Sequence, residues 1–209
     1  MKKLDAGFYQ RADLLQISKD LLGKLIVTNW DGEKTIARIV ETEAYEGIGD
    51  KAAHSYGDRR TSRTEVMYNA GGLAYVYLCY GIHHLFNVVT NSAGIPHVVL
   101  IRAVEPVEGL TYMAKRIGRN DHVHRLGAGP GKLTKALGIS VQHTGISLTG
   151  NKIYLADDGY KLMQNEIVAS PRIGVDYAGD HALWPYRFMI KDHLSISVKT
   201  KSISNLEIS

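Results

Sequence analysis

The run HVVLIRAV, residues 97–104, constrains the fold of this chain more than any other stretch. Its nearly continuous aliphatic character is that of a strand covered on both faces, the centre of a sheet. A central strand needs neighbours, and the sequence supplies them. KLIVTNW (24–30) and KTIARIVETEAY (34–45) flank Asp31-Gly32, a two-residue hairpin signal. LAYVYLCYGIHHLFNVVT (73–90) reads as two strands meeting at a tight turn near Tyr80-Gly81. Short strands are expected around 152–155, 166–169 and 193–199. Helical spacing marks ADLLQISKDLLGK, which stops at Gly23, and the middle segments VEGLTYMAKRIG and GPGKLTKALG, the last with Pro130 near its start and Gly138 at its end.

Strands, then helices, then strands again describe an α+β protein: one domain over 1–209, a mixed, largely antiparallel curved sheet flanked by helices, and a protruding hairpin. No linker, repeat or low-complexity run divides the chain. Residues 46–63 are polar and glycine-bearing, a long surface loop of the kind that often carries function. The start MKKLDAGFYQ has basic residues but no apolar core behind them, and no stretch has the roughly 18 apolar residues of a membrane span. Cys79 is the only cysteine, which excludes an internal disulfide and cysteine-rich zinc sites and fits a reducing cytoplasm.

The net charge of +4 is unevenly spread. Residues 1–58 hold 8 Lys/Arg against 10 Asp/Glu, residues 59–135 hold 10 against 4, and residues 136–209 hold 7 of each. The excess lies in RRTSR (59–63) and KRIGRNDHVHRLGAGPGKLTK (115–135), a local basic surface suited to a phosphate backbone or to plain solvation.

Glu41 and Glu43 stand out because carboxylates are disfavoured in strands and costly to bury. Alternation puts both on one face, with Tyr45 two residues on. Arg38 and Arg102 are candidate ion-pair partners, which would make the pair structural. Adjacent same-face glutamates are weak support for glycoside hydrolysis. Tyr75 and Tyr77 share a face, and Tyr80 at a turn is placed to meet a partner, since aromatic side chains wedge between bases or stack on an extruded one. His83-His84 and His122/His124 lack the spacing of a zinc enzyme, and GAGPGK (127–132) lacks the spacing of a phosphate loop.

Taken in order, RIVETEAYEG, DKAAHSYGDRRTSRTEVMY, GGLAYVYLCYGIHHLFNVVT, VVLIRAVEPVEG, GPGKLTKALGI and SPRIGVDYAGDHALWPYRF resemble the alkyladenine (3-methyladenine, N-methylpurine) DNA glycosylases of the mammalian type. The resemblance spans nearly the whole chain. It implies a monomeric, monofunctional enzyme without metal or organic cofactor, acting in the cytoplasm or at a bacterial nucleoid. Such an enzyme flips a damaged purine out of double-stranded DNA and hydrolyses its N-glycosidic bond, leaving an abasic site. By position, the resemblance implies Glu43 as the base that activates water and Arg102 as an aid in holding that water. It implies Tyr45 on one side of the flipped base with His54 and Tyr77 on the other, Tyr80 in the gap left in the stack, and Asn87 against the 2-amino group of guanine. Glu41 has no chemical role by this route and is expected to be structural. Tyr56, His83, His84 and His97 depart from the family pattern near the pocket or groove. Two other readings remain: a DNA-binding module without catalysis, and a carbohydrate hydrolase using Glu41 and Glu43.

Overall fold

The computed structural model describes residues 1–118 and 122–198. Its strands are β1 (Lys2–Lys3), β2 (Leu25–Trp30), β3 (Glu33–Tyr45), β4 (Ala74–Cys79), β5 (His83–Thr90), β6 (His97–Glu108), β7 (Ile153–Asp157), β8 (Ile167–Ser170) and β9 (Arg187–Ile190). They form an open sheet in the order β1-β7-β2-β3-β6-β5-β4, with β9 paired to β3 and β8 to β9. Every pairing among the described strands is antiparallel. The protein is α+β, with helices α1 (Ala6–Tyr9), α2 (Leu14–Asp20), α3 (Leu110–Ile117) and α4 (Pro130–Leu137).

The 13-residue β3 organises the site. It pairs with β6 along its length, with β2 through residues 33–38, and with β9 through Glu41–Glu43. The change of partner coincides with register shifts between Ile39 and Glu41 and between Glu41 and Thr42. Such bulges bend a strand and re-aim its side chains. At the start of β3, Asp31 (φ 50°) and Gly32 (φ 91°) form the expected tight hairpin turn, with Trp30 opposite Glu33.

One face of the sheet carries the main core. Ile39, Ala44, Ala74, Val76, Phe86, Val88, Val99, Ile101 and Ala103 point there, against Ile17 and Leu21 from the α2 region, Met113 and Ile117 of α3, and Leu133 and Leu137 of α4. Pro130 begins α4 and Gly138 ends it with φ 68°, a left-handed conformation suited to glycine. The GAGPGK stretch leads into α4 after Ala128 forms a bridge to Ala103.

Two expectations change. The last strand is Arg187–Ile190; residues 193–198 form turns and bends, and residue 199 lies outside the described residues. Residues 46–63 are not a loose loop. They contain short 3₁₀ turns at Gly47–Gly49 and Tyr56–Asp58, and Asp50, Ala52 and Ser55 are buried. Arg119 to Asp121, part of the expected basic run, also lie outside the described residues.

Candidate active site

The second face of the sheet carries the polar side chains. Across neighbouring strands Glu43 stands opposite Leu100, Leu100 opposite Asn87, and Asn87 opposite Tyr75. Two-residue alternation then brings Tyr45, Val98, Arg102, Leu85 and Tyr77 to the same face. Their neighbours in sequence face the helices, so this face owes its chemistry to a pattern opposite in phase to the core.

Above this face lies a cavity of about 370 Å³, lined by Tyr45, His54, Tyr75, Tyr77, Tyr80, Asn87, Arg102, Ile173 and Tyr177 among others. Its volume falls within the roughly 300–1,000 Å³ of small-molecule sites. Five tyrosines give it walls suited to a flat aromatic ligand. Tyr45, His54, Tyr77, Asn87 and Arg102, all expected at the site, meet here, and Tyr80 stands at the edge. Tyr75 combines burial with a place in the wall: its hydroxyl lies 2.8 Å from Nδ1 of His54. The imidazole of His54 meets Tyr77 edge-on, centroids 4.5 Å apart. Burial, with Arg63 and Arg59 nearby, lowers the pKa of His54 to about 4, so the ring is neutral at pH 7. RRTSR therefore flanks the cavity: Arg63 lies 5.9 Å from the ring centre of Tyr77, and Arg60 3.8 Å from that of Tyr68. The amide nitrogen of Asn87 donates to the carbonyls of Tyr75 (3.1 Å) and Leu85 (3.4 Å), which fixes its orientation.

Glu43 is fully buried just beneath the cavity and does not itself line it. Three of its neighbours do. The N–H of Ile173 donates to Oε1 (2.8 Å), Nη1 of Arg102 lies 3.2 Å from the same oxygen, and the Tyr45 hydroxyl donates to Oε2 (2.8 Å). A carboxylate accepts about four hydrogen bonds, so Oε2 retains capacity for one more. Burial raises the pKa of Glu43 above the ordinary carboxylate value, and Glu41 adds to this; Arg102, the Ile173 N–H and the Tyr45 hydroxyl act in the opposite direction. Arg102 favours the ionised form, but desolvation outweighs it. A raised pKa makes Glu43 a stronger base than free glutamate at any pH where it remains ionised.

Glu41 is the contrasting case. Oε1 accepts from Nε of Arg102 (3.1 Å), Nε of Arg187 (2.7 Å) and the Ser197 hydroxyl (2.8 Å), while Oε2 accepts from the Ser197 N–H (2.6 Å). It is structural, tying two guanidiniums to the segment after β9. A carboxylate so engaged is poorly placed as the second partner of a glycoside hydrolase pair. Arg102, 6% exposed, bridges the two glutamates; burial works against its charge, yet Glu43 and Glu41 hold its pKa above the usual arginine value. Arg38, the other candidate partner, instead pairs with Asp158 through 3.1 and 2.8 Å bonds, because it lies on the far side of the β3 bulge.

The β4–β5 hairpin projects beside the cavity. Tyr80 is 89% exposed at its tip with φ 50°, followed by Gly81 at φ 73°. A bulky residue in the left-handed region costs about 1 kcal/mol, and here the ring contributes no burial in return. Leu78 and Ile82 are also exposed, so the tip presents three large apolar side chains. His83 packs at Gly131 of α4, and His97 lies 3.1 Å from Asn91; neither lines the cavity. Tyr56 is exposed.

Sequence reasoning missed Ile173, Arg172, Asp50 and Tyr177. Three of these lie in SPRIGVDYAGDHALWPYRF, where the chain passes over the cavity in an irregular turn and a short 3₁₀ helix (Asp176–Leu183) rather than a long periodic element.

A family model described as methylpurine-DNA glycosylase matches residues 7–194. A Desulfitobacterium hafniense (strain Y51) protein named "Putative 3-methyladenine DNA glycosylase" is 47% identical over 206 residues, covering 95% of this chain and 100% of the relative. Proteins of the same name from Alkaliphilus oremlandii (47% over 204 residues; 94% of this chain, 100% of the relative) and Chlamydia felis (44% over 188; 90% and 95%) are similar.

Proposed function

The chain belongs to the methylpurine-DNA glycosylase family, and from that premise we propose that it releases damaged purines from duplex DNA in base excision repair. The observation that carries this reading is the buried Glu43, with one acceptor site open, beneath an aromatic cavity beside an exposed aromatic hairpin tip.

Extruding a base from duplex DNA costs a few kcal/mol, least at a damaged or mispaired site. Tyr80 enters the space the base leaves, and the base stacks between Tyr45 on one side and His54 with Tyr77 on the other. Aromatic stacking contributes roughly 1–3 kcal/mol per base, enough to offset much of the extrusion. The arginines at 59–63 and the basic residues near α4 hold the phosphates. Asn87, its amide fixed by two backbone carbonyls, crowds the 2-amino group of guanine and turns that normal base away.

In the reaction the bond between C1′ and the purine breaks and its electron pair leaves with the base. A lesion carrying an extra positive charge on its ring departs as a neutral purine, while a neutral lesion such as hypoxanthine departs as an anion and takes up a proton from water. The sugar becomes oxocarbenium-like, and the ionised Glu43 stabilises it electrostatically. Water enters between Tyr45 and Arg102, hydrogen-bonds to the open site on Oε2, adds to C1′ and gives its proton to Glu43. The products are free base and an abasic site, and no step calls for a metal or organic cofactor. Substrates on this reading are 3-methyladenine, as in the names of the relatives, and the 6-oxo purine hypoxanthine.

We place the enzyme, acting as a monomer, in the cytoplasm at the nucleoid; no helix among the described residues is long and apolar enough to cross a membrane. The test is a panel of duplexes, each with one lesion (3-methyladenine or hypoxanthine) or undamaged, scored for released base and for alkali-sensitive breaks. Release from lesions and not from undamaged duplex supports the reading. Salt-sensitive binding without base release from any lesion refutes catalysis and leaves a binding module.

A further inference from the structure

Arg172 lies outside the residues that the reaction above uses, yet it joins segments that carry Glu43, Tyr45 and Ile173. Its side chain and that of Asp50 are wholly buried. Nη1 donates to the Ala44 carbonyl (2.9 Å), between Glu43 and Tyr45, and to Oδ2 of Asp50; Nη2 donates to Oδ1 of Asp50 (2.9 Å) and to the His181 carbonyl (3.0 Å). The guanidinium lies 4.8 Å from the ring centre of Tyr45. The next residue, Ile173, supplies the N–H bonded to Glu43. Asp50 in turn accepts from the N–H groups of Ala52 (2.9 Å) and Glu46 (3.3 Å), fixing the loop that carries His54.

We propose that Arg172 and Asp50 are a positioning pair that locks the end of β3, the His54 loop and the Ile173 segment around Glu43, and that their matched charges keep the carboxylate in its working balance. The proposal rests on the glycosylase reading for its role in turnover. Three segments distant in sequence meet at one two-pronged ion pair, a geometry that fixes orientation as well as distance. Nε of Arg172 has no partner among the described residues, so Asp50 is the main compensation for a buried cation. His181 also stands beside this pair: its Nδ1 accepts the Lys51 N–H (3.1 Å) and lies 3.9 Å from Oδ1 of Asp50, and its ring stacks on Trp184. Tyr186, 5.5 Å away, is the remaining neighbour on this side. Glu43 itself faces Arg102, Glu41 and Tyr45, with Arg187 opposite it on β9 and the phenols of Tyr77 and Tyr177 close enough to feel its charge. Arg172 adds a cation that Asp50 cancels.

The test follows the acid limb of single-turnover base release, the fall in rate as Glu43 is protonated, in wild type, Asp50→Asn, Arg172→Gln and Arg172→Lys. Asp50→Asn leaves the cation uncompensated and shifts the limb to lower pH; Arg172→Gln leaves the anion and shifts it to higher pH, each by about half a unit or more. Arg172→Lys keeps the charge but loses the fork, so the limb stays in place while the rate falls about tenfold or more. Coincident limbs for Asp50→Asn and Arg172→Gln, shifts in one common direction, or a wild-type rate for Arg172→Lys overturns the proposal. If thermal melts show either neutral variant unfolded, the lysine variant decides. If wild type releases no base, the glycosylase reading has failed, and carbon-13 NMR titration of the Glu43 carboxyl in the same variants still decides the pair.

Discussion

Replacing Tyr80 with glycine separates the needs of the fold from those of the reaction. The ring is 89% exposed, so its removal uncovers almost nothing. The backbone at φ 50° suits glycine, relieving about 1 kcal/mol of strain. The greater freedom of glycine in the unfolded chain returns about 0.4–1 kcal/mol of that gain. Thermal stability therefore stays close to that of wild type. On duplex DNA, loss of the inserted ring removes a stacking contribution of roughly 1–3 kcal/mol, or about 5- to 150-fold in the extruded population. Single-turnover release of hypoxanthine from duplex should fall by that factor, while release from a single strand, where no stack needs filling, changes little. A duplex rate equal to wild type, or an equal loss on both substrates, would refute insertion by Tyr80.

Other perturbations separate neighbouring groups. Glu41→Gln leaves the buried guanidiniums of Arg102 and Arg187 short of a charge partner and should destabilise the fold by about 3–5 kcal/mol, read by urea unfolding. Because burial raises the Glu43 pKa, activity should fall as pH drops through a midpoint above the ordinary glutamate value; a midpoint at or below it contradicts the assignment. Asp158, held at about 2 mainly by its hydrogen bonds to Arg38, adds stability that is present above its unfolded value and lost as pH falls towards the folded one. The Asp158→Asn variant should lose less than about 1 kcal/mol near neutral pH, a difference that shrinks as pH falls through about 2, measured by denaturant midpoints.

Much of the sheet is legible in the sequence because local chemistry fixes it. Asp31-Gly32 sets one hairpin, Pro130 and Gly138 bound α4, and the opposite phases of Ala44, Ile101 and Phe86 against Glu43, Leu100 and Asn87 separate core from site. The alternating LSISV at 194–198 resembles a strand, yet it serves as a strap, its Ser197 N–H and hydroxyl saturating Glu41. No local pattern predicts this, since the two residues are 156 positions apart. Arg172 and Asp50, 122 positions apart, are hidden for the same reason. The candidate site residues came from family resemblance; pattern alone left Glu43 and Glu41 indistinguishable. Hydrogen-bond geometry separates them, since one is saturated and the other is not.

The most direct measurement compares wild type with Glu43→Gln in single-turnover release of a damaged purine from duplex DNA, with thermal melts alongside. The buried carboxylate has a raised pKa, so its stabilising, protonated form is already lost as pH rises through that value. An uncharged amide there should leave the melting temperature equal to wild type or higher. Release should fall by about 10²–10⁴-fold, the range for loss of a general base. Equal release by both proteins, with both folded, would contradict the account.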